Sequence, residues 1–310
     1  RVKLMNYISP LFPFLFGWGV LLATPVFFEI SLVNGIAQLV LFGLVVCWPA
    51  WKTGRLSYVD IAWPWGLVLI AAATYLLSDG YWLRTLFISL VYAFVGARMG
   101  LGALKMWRLG YFETEFPRYQ YQRLRWQRAG KTRTGLLLQV EALVQGLANA
   151  GFLAFPALII GSNSNPDISV FEILGLSLWV LAFSIETIAD MQKLKFLQKM
   201  KKAGKKNSVC NVGLWRYSRH PNYFAEWLVW TAMVIASIPS WLVLYTQIHF
   251  VTWLLLGAGL LFVSKIMYTT LVHYTGAVPA EYYSVKKRAG YKNYQMETNR
   301  FFPGPFKNID

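Results

Sequence analysis

Apolar and polar positions along this chain separate into long blocks. Eight apolar runs stand out, at roughly 11–30, 34–50, 61–78, 82–101, 135–160, 169–189, 222–242 and 248–272. Most approach the ~20 residues that an α-helix needs to cross a bilayer. The second and third are short, so the pattern predicts an all-α polytopic transmembrane helix bundle of about eight spans (seven or eight). Pro64 and Pro156 fall inside runs. There, neighbouring helices or water can satisfy the carbonyl that a proline frees. No fixed-period repeat or low-complexity tract divides the chain, and residues 1–310 read as a single membrane domain with a folded cap.

The basic residues settle the count and the orientation. The gap at 51–60 holds Lys52 and Arg55, the segment 102–134 holds eight Lys and Arg, and 190–221 holds nine. The tail adds Lys286, Lys287, Arg288, Lys292, Arg300 and Lys307. The alternate gaps at 31–33, 79–81, 162–168 and 243–247 hold none. Cytoplasmic-type loops carry the excess of Lys and Arg. Eight spans with both termini on that side satisfy the alternation, whereas an odd number leaves one basic block on the wrong side. Both long basic loops and the tail then share one membrane face, where a water-soluble cofactor can meet all three.

Composition agrees: 56% of residues are hydrophobic and only 14% charged, which argues against a soluble domain. The 14 Trp, 17 Tyr and 21 Phe suit rings anchored at lipid–water boundaries. A net charge of +16 would suggest nucleic acid in a soluble protein. Here the charge lies between membrane runs and suits anionic lipid head groups or a phosphate-bearing ligand, with no nucleic acid partner. The two cysteines, Cys47 and Cys210, make neither a disulfide framework nor a metal spacing, and three histidines make no multi-histidine metal site. Residues 1–10 match neither a signal peptide nor a transit peptide. The bacterial inner membrane, the endoplasmic reticulum and an organelle inner membrane all remain open.

Chemistry concentrates before the seventh run, where Arg216, Arg219, His220, Asn222, Tyr223 and Glu226 crowd into eleven residues. Pro221 suits the first turn of a helix, so Asn222 and Glu226, four apart, stack on one face at the membrane boundary. Two arginines and a histidine before a helix N-terminus suit a phosphate, and equally a basic stretch snorkelling to lipid. Glu186 and Asp190 repeat the one-turn spacing at the end of the sixth run, followed by Lys193 and Lys195. Acids at this depth need cations, amides or hydroxyls as partners. Asp60 and Arg98 lie near span ends, and Tyr291 and Tyr294 share one helical face in the tail. That tail also reads as an amphipathic surface helix. The chain carries no glycine-rich phosphate loop, no His-x-Glu zinc motif and no serine elbow.

Trp215-Arg-Tyr-Ser-Arg-His-Pro-Asn-Tyr-Phe-Ala-Glu226 is preceded by Glu186-x-x-x-Asp190-x-Gln192 and followed by Arg288-x-Gly290-Tyr291-x-x-Tyr294-Gln295, Thr298 and Pro303. This ordered set resembles the steroid 5-alpha-reductase-like membrane proteins, in a branch related to the reductases by its C-terminal half. Asp60-x-x-Trp63 and Arg98 fit the same branch. The likeness covers roughly 60–303 and is most specific over 183–303, which it marks as the cofactor-binding half. It implies an NADPH site made by the last helices and the cytoplasmic loops. In it Asn222, Tyr223, Glu226, Asp190 and Glu186 would line the nicotinamide–ribose part. Arg98, Arg216, Arg219, His220 and Tyr291 would approach the phosphates and adenosine, with Lys195 and Tyr294 beside them.

The implied reaction passes a hydride to the carbon–carbon double bond of a lipid-like enone, steroid or isoprenoid in type, with an acid–tyrosine pair polarising its carbonyl. The reductases place a Gln-Glu pair in an early helix and a tyrosine shortly before the arginine matched by Arg98. This chain has Asp60 and Val95 there, leaving Asp60, Tyr58 and Tyr92 as catalytic candidates. An Arg-His-Pro-x-Tyr signature also occurs in isoprenylcysteine carboxyl methyltransferases, which bind S-adenosylmethionine, but their tails carry an adjacent Glu-Glu where this one has Glu281-Tyr282. A third reading is a catalytically silent relative serving as a structural subunit of a larger membrane complex.

Overall fold

The structure, a computed structural model, describes residues 3–307, and among them there are helices and no strands. Eight helical segments are long and apolar enough to cross a membrane: α1 (Met5–Leu22), α2 (Pro25–Thr53), α3 (Val59–Leu77), α4 (Trp82–Arg108), α6 (Thr134–Gly161), α7 (Val170–Lys202), α8 (Pro221–Leu244) and the span Phe250–Lys287. A shorter helix, α5 (Pro117–Arg128), folds the first long basic loop. The protein is an all-α integral membrane protein.

The first boundary differs from the expected run over 11–30. Thr24 is extended and Pro25 cannot donate an amide, so the helix stops at Leu22 and a new one starts, although the apolar residues continue without a break. Within α2 a π-helical turn at Gly43–Cys47 directly precedes Pro49. The wider turn makes room for a ring that clashes with a regular helix. The Gln139 amide donates to the Cys47 carbonyl at 3.0 Å.

Contacts divide the chain into unit 1 (Arg1–Ile173 and Val234–Val263) and unit 2 (Leu174–Met233 and Ser264–Asp310). Unit 1 is organised around buried polar groups that partner one another. Gln38 of α2 donates to Asn34 Oδ1 (3.0 Å) and to the Gly66 carbonyl of α3 (2.8 Å). Asn149 of α6 donates to Gln38 Oε1 and to the Trp63 carbonyl, each at 3.2 Å. A Cβ on Gly66 would lie 2.2 Å from the Asn149 amide nitrogen, so glycine lets α3 come this close. Where hydrocarbon offers no alternative partner, such a cluster fixes helix register.

The two ends of unit 1 are fastened by charge. Arg84 of α4 is 3% exposed; it donates to Glu172 at 2.5 and 3.3 Å and to the carbonyls of Asn163, Asn165 and Asp167. One guanidinium thereby closes a loop that holds no Lys or Arg of its own. In the other loop region, Glu115 accepts from the amides of Leu56 and Ser57 (2.9 Å each), the Ser57 hydroxyl (2.6 Å) and Arg123 (3.2 Å). The basic segment is thus a folded cap on the start of α3.

Unit 2 contains most of α7, the connection to α8, the first half of α8 and the C-terminal part of the chain. The last span begins as α9 (Phe250–Thr269), passes through a π-helical turn at Thr270–Tyr274, and resumes as α10 (Ala277–Lys287). After Gly290 comes α11 (Tyr291–Glu297), and residues 298–307 run on without regular structure.

Replacing Arg84 by Met leaves the Glu172 carboxylate buried without its main partner, an arrangement that costs about 3–5 kcal/mol. Thermal unfolding in detergent is expected at a clearly lower temperature for Arg84→Met. The double variant Arg84→Met/Glu172→Gln should recover part of the loss. Equal midpoints for the single variant and the parent protein would contradict this role.

Candidate functional site

In unit 2 the segment between α7 and α8 is held from two sides. Against α7, the Leu214 amide donates to Gln192 Oε1 and the Trp215 indole to the Ala189 carbonyl, both at 2.9 Å. Against the tail, the Tyr294 hydroxyl donates to the Trp215 carbonyl, the Arg219 amide to the Asn299 carbonyl (2.8 Å) and the Ser218 hydroxyl to the Phe301 carbonyl (2.8 Å). The Gly304 amide returns a bond to the Tyr217 carbonyl at 3.0 Å. Pro221 then opens α8 at its first turn, where the missing amide hydrogen costs nothing.

Glu281 of α10 anchors this arrangement. Its carboxylate accepts from Arg219 Nε (2.8 Å) and Nη2 (3.2 Å) and from Gln295 (2.9 Å); His220 Nε2 lies at 3.1 Å and Arg300 Nε at 3.4 Å. Arg219 Nη1 donates to the carbonyls of Gln295 and Thr298. Arg219 is 6% exposed, and Nε, Nη1 and Nη2 all end on protein acceptors. It clamps the tail to the turn before α8. Sequence reading noted Glu281 but did not select it, because its partners lie some sixty residues upstream. A lone acid at the head of a basic tail was the available signal.

Beside this clamp lies a cleft open to solvent. From α7 it takes Lys193 and Leu197, from the connection Ser208, Cys210 and Trp215, and from the start of α8 Asn222 and Tyr223. The C-terminal side supplies Ser284, Arg288, Tyr291 and Tyr294, with Arg219 and His220 in the wall. Lys193 Nζ sits 4.1 Å from the centre of the Trp215 ring, a cation–π contact. Arg288 Nη1 donates to Ser284 Oγ at 2.6 Å. The His220 and Tyr223 rings stack with centres 5.2 Å apart.

Asn222 is the distinctive member. Its amide nitrogen donates to Asp190 Oδ1 at 3.0 Å, while its Oδ1 is buried and meets no donor among the described residues. A buried acceptor left in this state costs about 1–3 kcal/mol, and an incoming N–H or O–H would remove that cost.

Burial keeps His220, Tyr291, Tyr294 and Cys210 uncharged. It lowers the His220 pKa, partly offset by the bond to Glu281, so the ring is neutral in the folded protein at pH 7. It raises the Tyr291 hydroxyl to about 12, with the Glu281 charge adding to the effect, and it raises Tyr294 as well. The Cys210 thiol is also raised by burial.

Of the expected cofactor residues, unit 2 brings Arg219, His220, Asn222, Tyr223, Tyr291 and Tyr294 to the cleft, with Asp190 holding Asn222. Glu186 is buried on α7, and Glu226 lies one turn beyond Asn222 on α8; neither lines the cleft. Lys195 and Arg216 are exposed and outside it, Arg216 stacking on Phe306 at 5.1 Å. Lys193 and Arg288 are further cations that line it.

Arg98 and the catalytic candidates belong to unit 1. Both Asp60 oxygens accept, from the Arg118 guanidinium and from the Tyr119 hydroxyl at 2.6 Å. Burial and the Asp60 charge hold the Tyr119 pKa well above its ordinary value. Asp60 is thus an anchor for α5 and not a poised acid. The fully enclosed Tyr92 donates to the Leu153 carbonyl at 2.6 Å, which commits its proton to the backbone. The Tyr58 hydroxyl accepts from Arg55 at 3.0 Å and can still donate its own proton.

Two outcomes follow from the clamp. Glu281→Ala strands the buried Arg219 charge and should speed amide exchange at Arg219 and Gly304, read by hydrogen–deuterium exchange; unchanged protection would remove Glu281 from its role. Because the folded pKa of His220 lies below the unfolded value of 6.5, the unfolded chain takes up the proton first. Stability is expected to fall as pH drops from about 6.5 toward 5, and His220→Gln should flatten that part of the melting-temperature profile.

No curated protein and no solved structure matches this chain. A family described as "Protein of unknown function (DUF1295)" matches it over residues 48–298. That match spans most of the chain and takes in α3 through α11, including every residue of the cleft, and the protein therefore belongs to the DUF1295 family.

Proposed function

We propose that the protein is an NADPH-dependent membrane reductase acting on a carbon–carbon double bond of a lipid-like enone, and that the cleft of unit 2 receives the dinucleotide. The observation that carries this reading is Asn222 Oδ1, an unpartnered acceptor fixed by Asp190 in a cleft that also presents Lys193 and Arg288. A carboxamide or ribose hydroxyl satisfies the acceptor, and phosphates satisfy the cations. Tyr223 and Tyr291 offer ring faces to the bound group. When bound, NADPH supplies a hydride. The chain's part is to position it and to keep Arg219 and Glu281 matched so that the wall holds its shape.

Charge favours this reading over the methyltransferase. S-adenosylmethionine carries a sulfonium, so its net charge is positive where the cleft is itself lined by cations, whereas a dinucleotide carries several negative charges. The structural-subunit reading gives no account of a ligand-shaped acceptor on Asn222.

Calorimetric titration of the detergent-purified protein with NADPH, NADH and S-adenosylmethionine tests the assignment. NADPH is expected to bind, and Asn222→Ala to weaken it about tenfold, the worth of one buried hydrogen bond, at an unchanged melting temperature. Binding of S-adenosylmethionine alone would move the protein to the methyltransferases, and binding of none of the three would favour the structural subunit.

A further inference from the structure

α7 is longer than a membrane requires. Its 33 residues extend about 50 Å, against a hydrocarbon core of about 30 Å. The apolar stretch from Val170 to Ala189 accounts for that core. The remaining 13 residues to Lys202 reach about 20 Å further, and the head-group layer takes up only about 5–8 Å of this. A tilt of about 20° shortens the projection by less than a tenth. The end of α7 therefore stands about 11–14 Å beyond the lipid heads, more than a Debye length of about 8–10 Å.

That projecting end is lysine-rich and has no local counter-charge. Lys199, Lys201, Lys202, Lys205 and Lys206 are all exposed. Between residues 191 and 225 there are nine Lys and Arg and not one Asp or Glu. Lysines that serve a membrane snorkel at the level of the head groups; these have passed it.

The backbone links this charge to the cleft. Lys193, Leu197 and Lys201 are four residues apart and share one face of α7, and the first two line the cleft. Gly204, left-handed at φ 67°, ends the helix. The Lys205 amide bonds the Met200 carbonyl (3.0 Å) and the Gly204 amide the Lys201 carbonyl (3.1 Å), which is the Schellman pattern. Asn207, also left-handed at φ 58°, completes the reversal. The chain then re-enters the cleft wall at Ser208 and Cys210. The turn carrying Lys205 and Lys206 is thus the upper rim of the cleft.

We propose that this lysine-bearing end of α7 is an electrostatic collector for a dissolved, multiply charged phosphate-type anion, which it concentrates at the mouth of the cleft. Lys201 continues the face of Lys193 and Leu197, and from it the charge runs inward through Lys193 to Arg288. A cleft lined by one sign of charge raises the local concentration of its counter-ion and the rate of capture by about 10- to 1,000-fold. The inference adopts the cleft of the proposed reductase but does not depend on which anion it takes.

The test uses a reporter thiol, Ser208→Cys, in a protein also carrying Cys47→Ser and Cys210→Ser, reconstituted in nanodiscs of zwitterionic phosphatidylcholine. Modification rates by an anionic sulfonate and by a cationic ammonium methanethiosulfonate are compared, each relative to free glutathione. The anionic reagent should be favoured at least tenfold, with the preference collapsing at high salt, on adding inorganic tripolyphosphate, and when the five exposed lysines are replaced by glutamine. A ratio unmoved by the lysine replacements would overturn the proposal. Loss of the preference in nanodiscs containing anionic lipid would also overturn it, since the bilayer would then be the partner of these lysines. Neither result requires NADPH to bind, so failure here leaves the reductase reading standing, and failure of that reading leaves this one.

Discussion

The candidate site rests on one buried carboxylate. Glu281 is enclosed beside Arg219, His220, Gln295 and Arg300, and taking such a charge out of water is tolerable only when its partners are complete. Completing them requires the turn before α8 and the tail after α11 to meet. With them come the Tyr217–Gly304 and Ser218–Phe301 bonds that give the cleft its fixed wall. The same requirement makes Arg219 first of all a fastener, its three nitrogens each on a protein acceptor, while Lys193 and Arg288 line the cleft beside it.

Unit 1 obeys the same rule with different groups. Arg84 closes on Glu172 and three carbonyls, Glu115 gathers the amides at the start of α3, and Gln38 and Asn149 exchange bonds where hydrocarbon offers none. In a protein whose solvent is largely lipid, polar side chains within spans are expected to find each other. Their presence alone then marks packing as readily as chemistry. Asp60 and Tyr92 illustrate this, since each was a reasonable catalytic candidate and each proves to be tied to a neighbour. Asn222 differs in its place: one of its polar atoms is held by Asp190, and the other is left without a donor in the lining of a cleft.

How far this was legible follows from the range of the forces concerned. Spans are set by about twenty consecutive residues and are read locally, so the eight runs appear, with several ends moved by two turns or more. The shifts have local causes. Thr24 and Pro25 break a run whose hydrophobicity does not change, and the lysines after Asp190 continue a helix that has left the apolar region, because lysine is a good helix former. The cleft was legible in part, since Asn222, Tyr223 and Asp190 sit on helix faces that spacing predicts. Glu281 was not, nor the loss of Arg219 to it, because that pair depends on a chain reversal some sixty residues long. Lys193 stood out only as a member of a basic run and Arg288 only as the start of a tail motif, and composition gives no means of separating a cleft cation from a solvated one.

The depth of the cleft bears on what it can serve. A dinucleotide carries too much charge to enter hydrocarbon, and a lipid-like substrate gains little by leaving it. Chemistry between them must occur where spans end. Asp190 lies just past the apolar stretch of α7, Asn222 lies in the first turn of α8, and the two are bonded to each other. The polar end of the site is therefore fixed at the boundary itself. Lys193 continues one turn outward into water and Glu226 one turn inward along α8. In the proposed reading the phosphates follow the first direction and the reactive ring stays near the second. The long projection of α7 then has a physical reason: a polyanion must be gathered from solution before it can be held at an interface that otherwise favours only its least polar part.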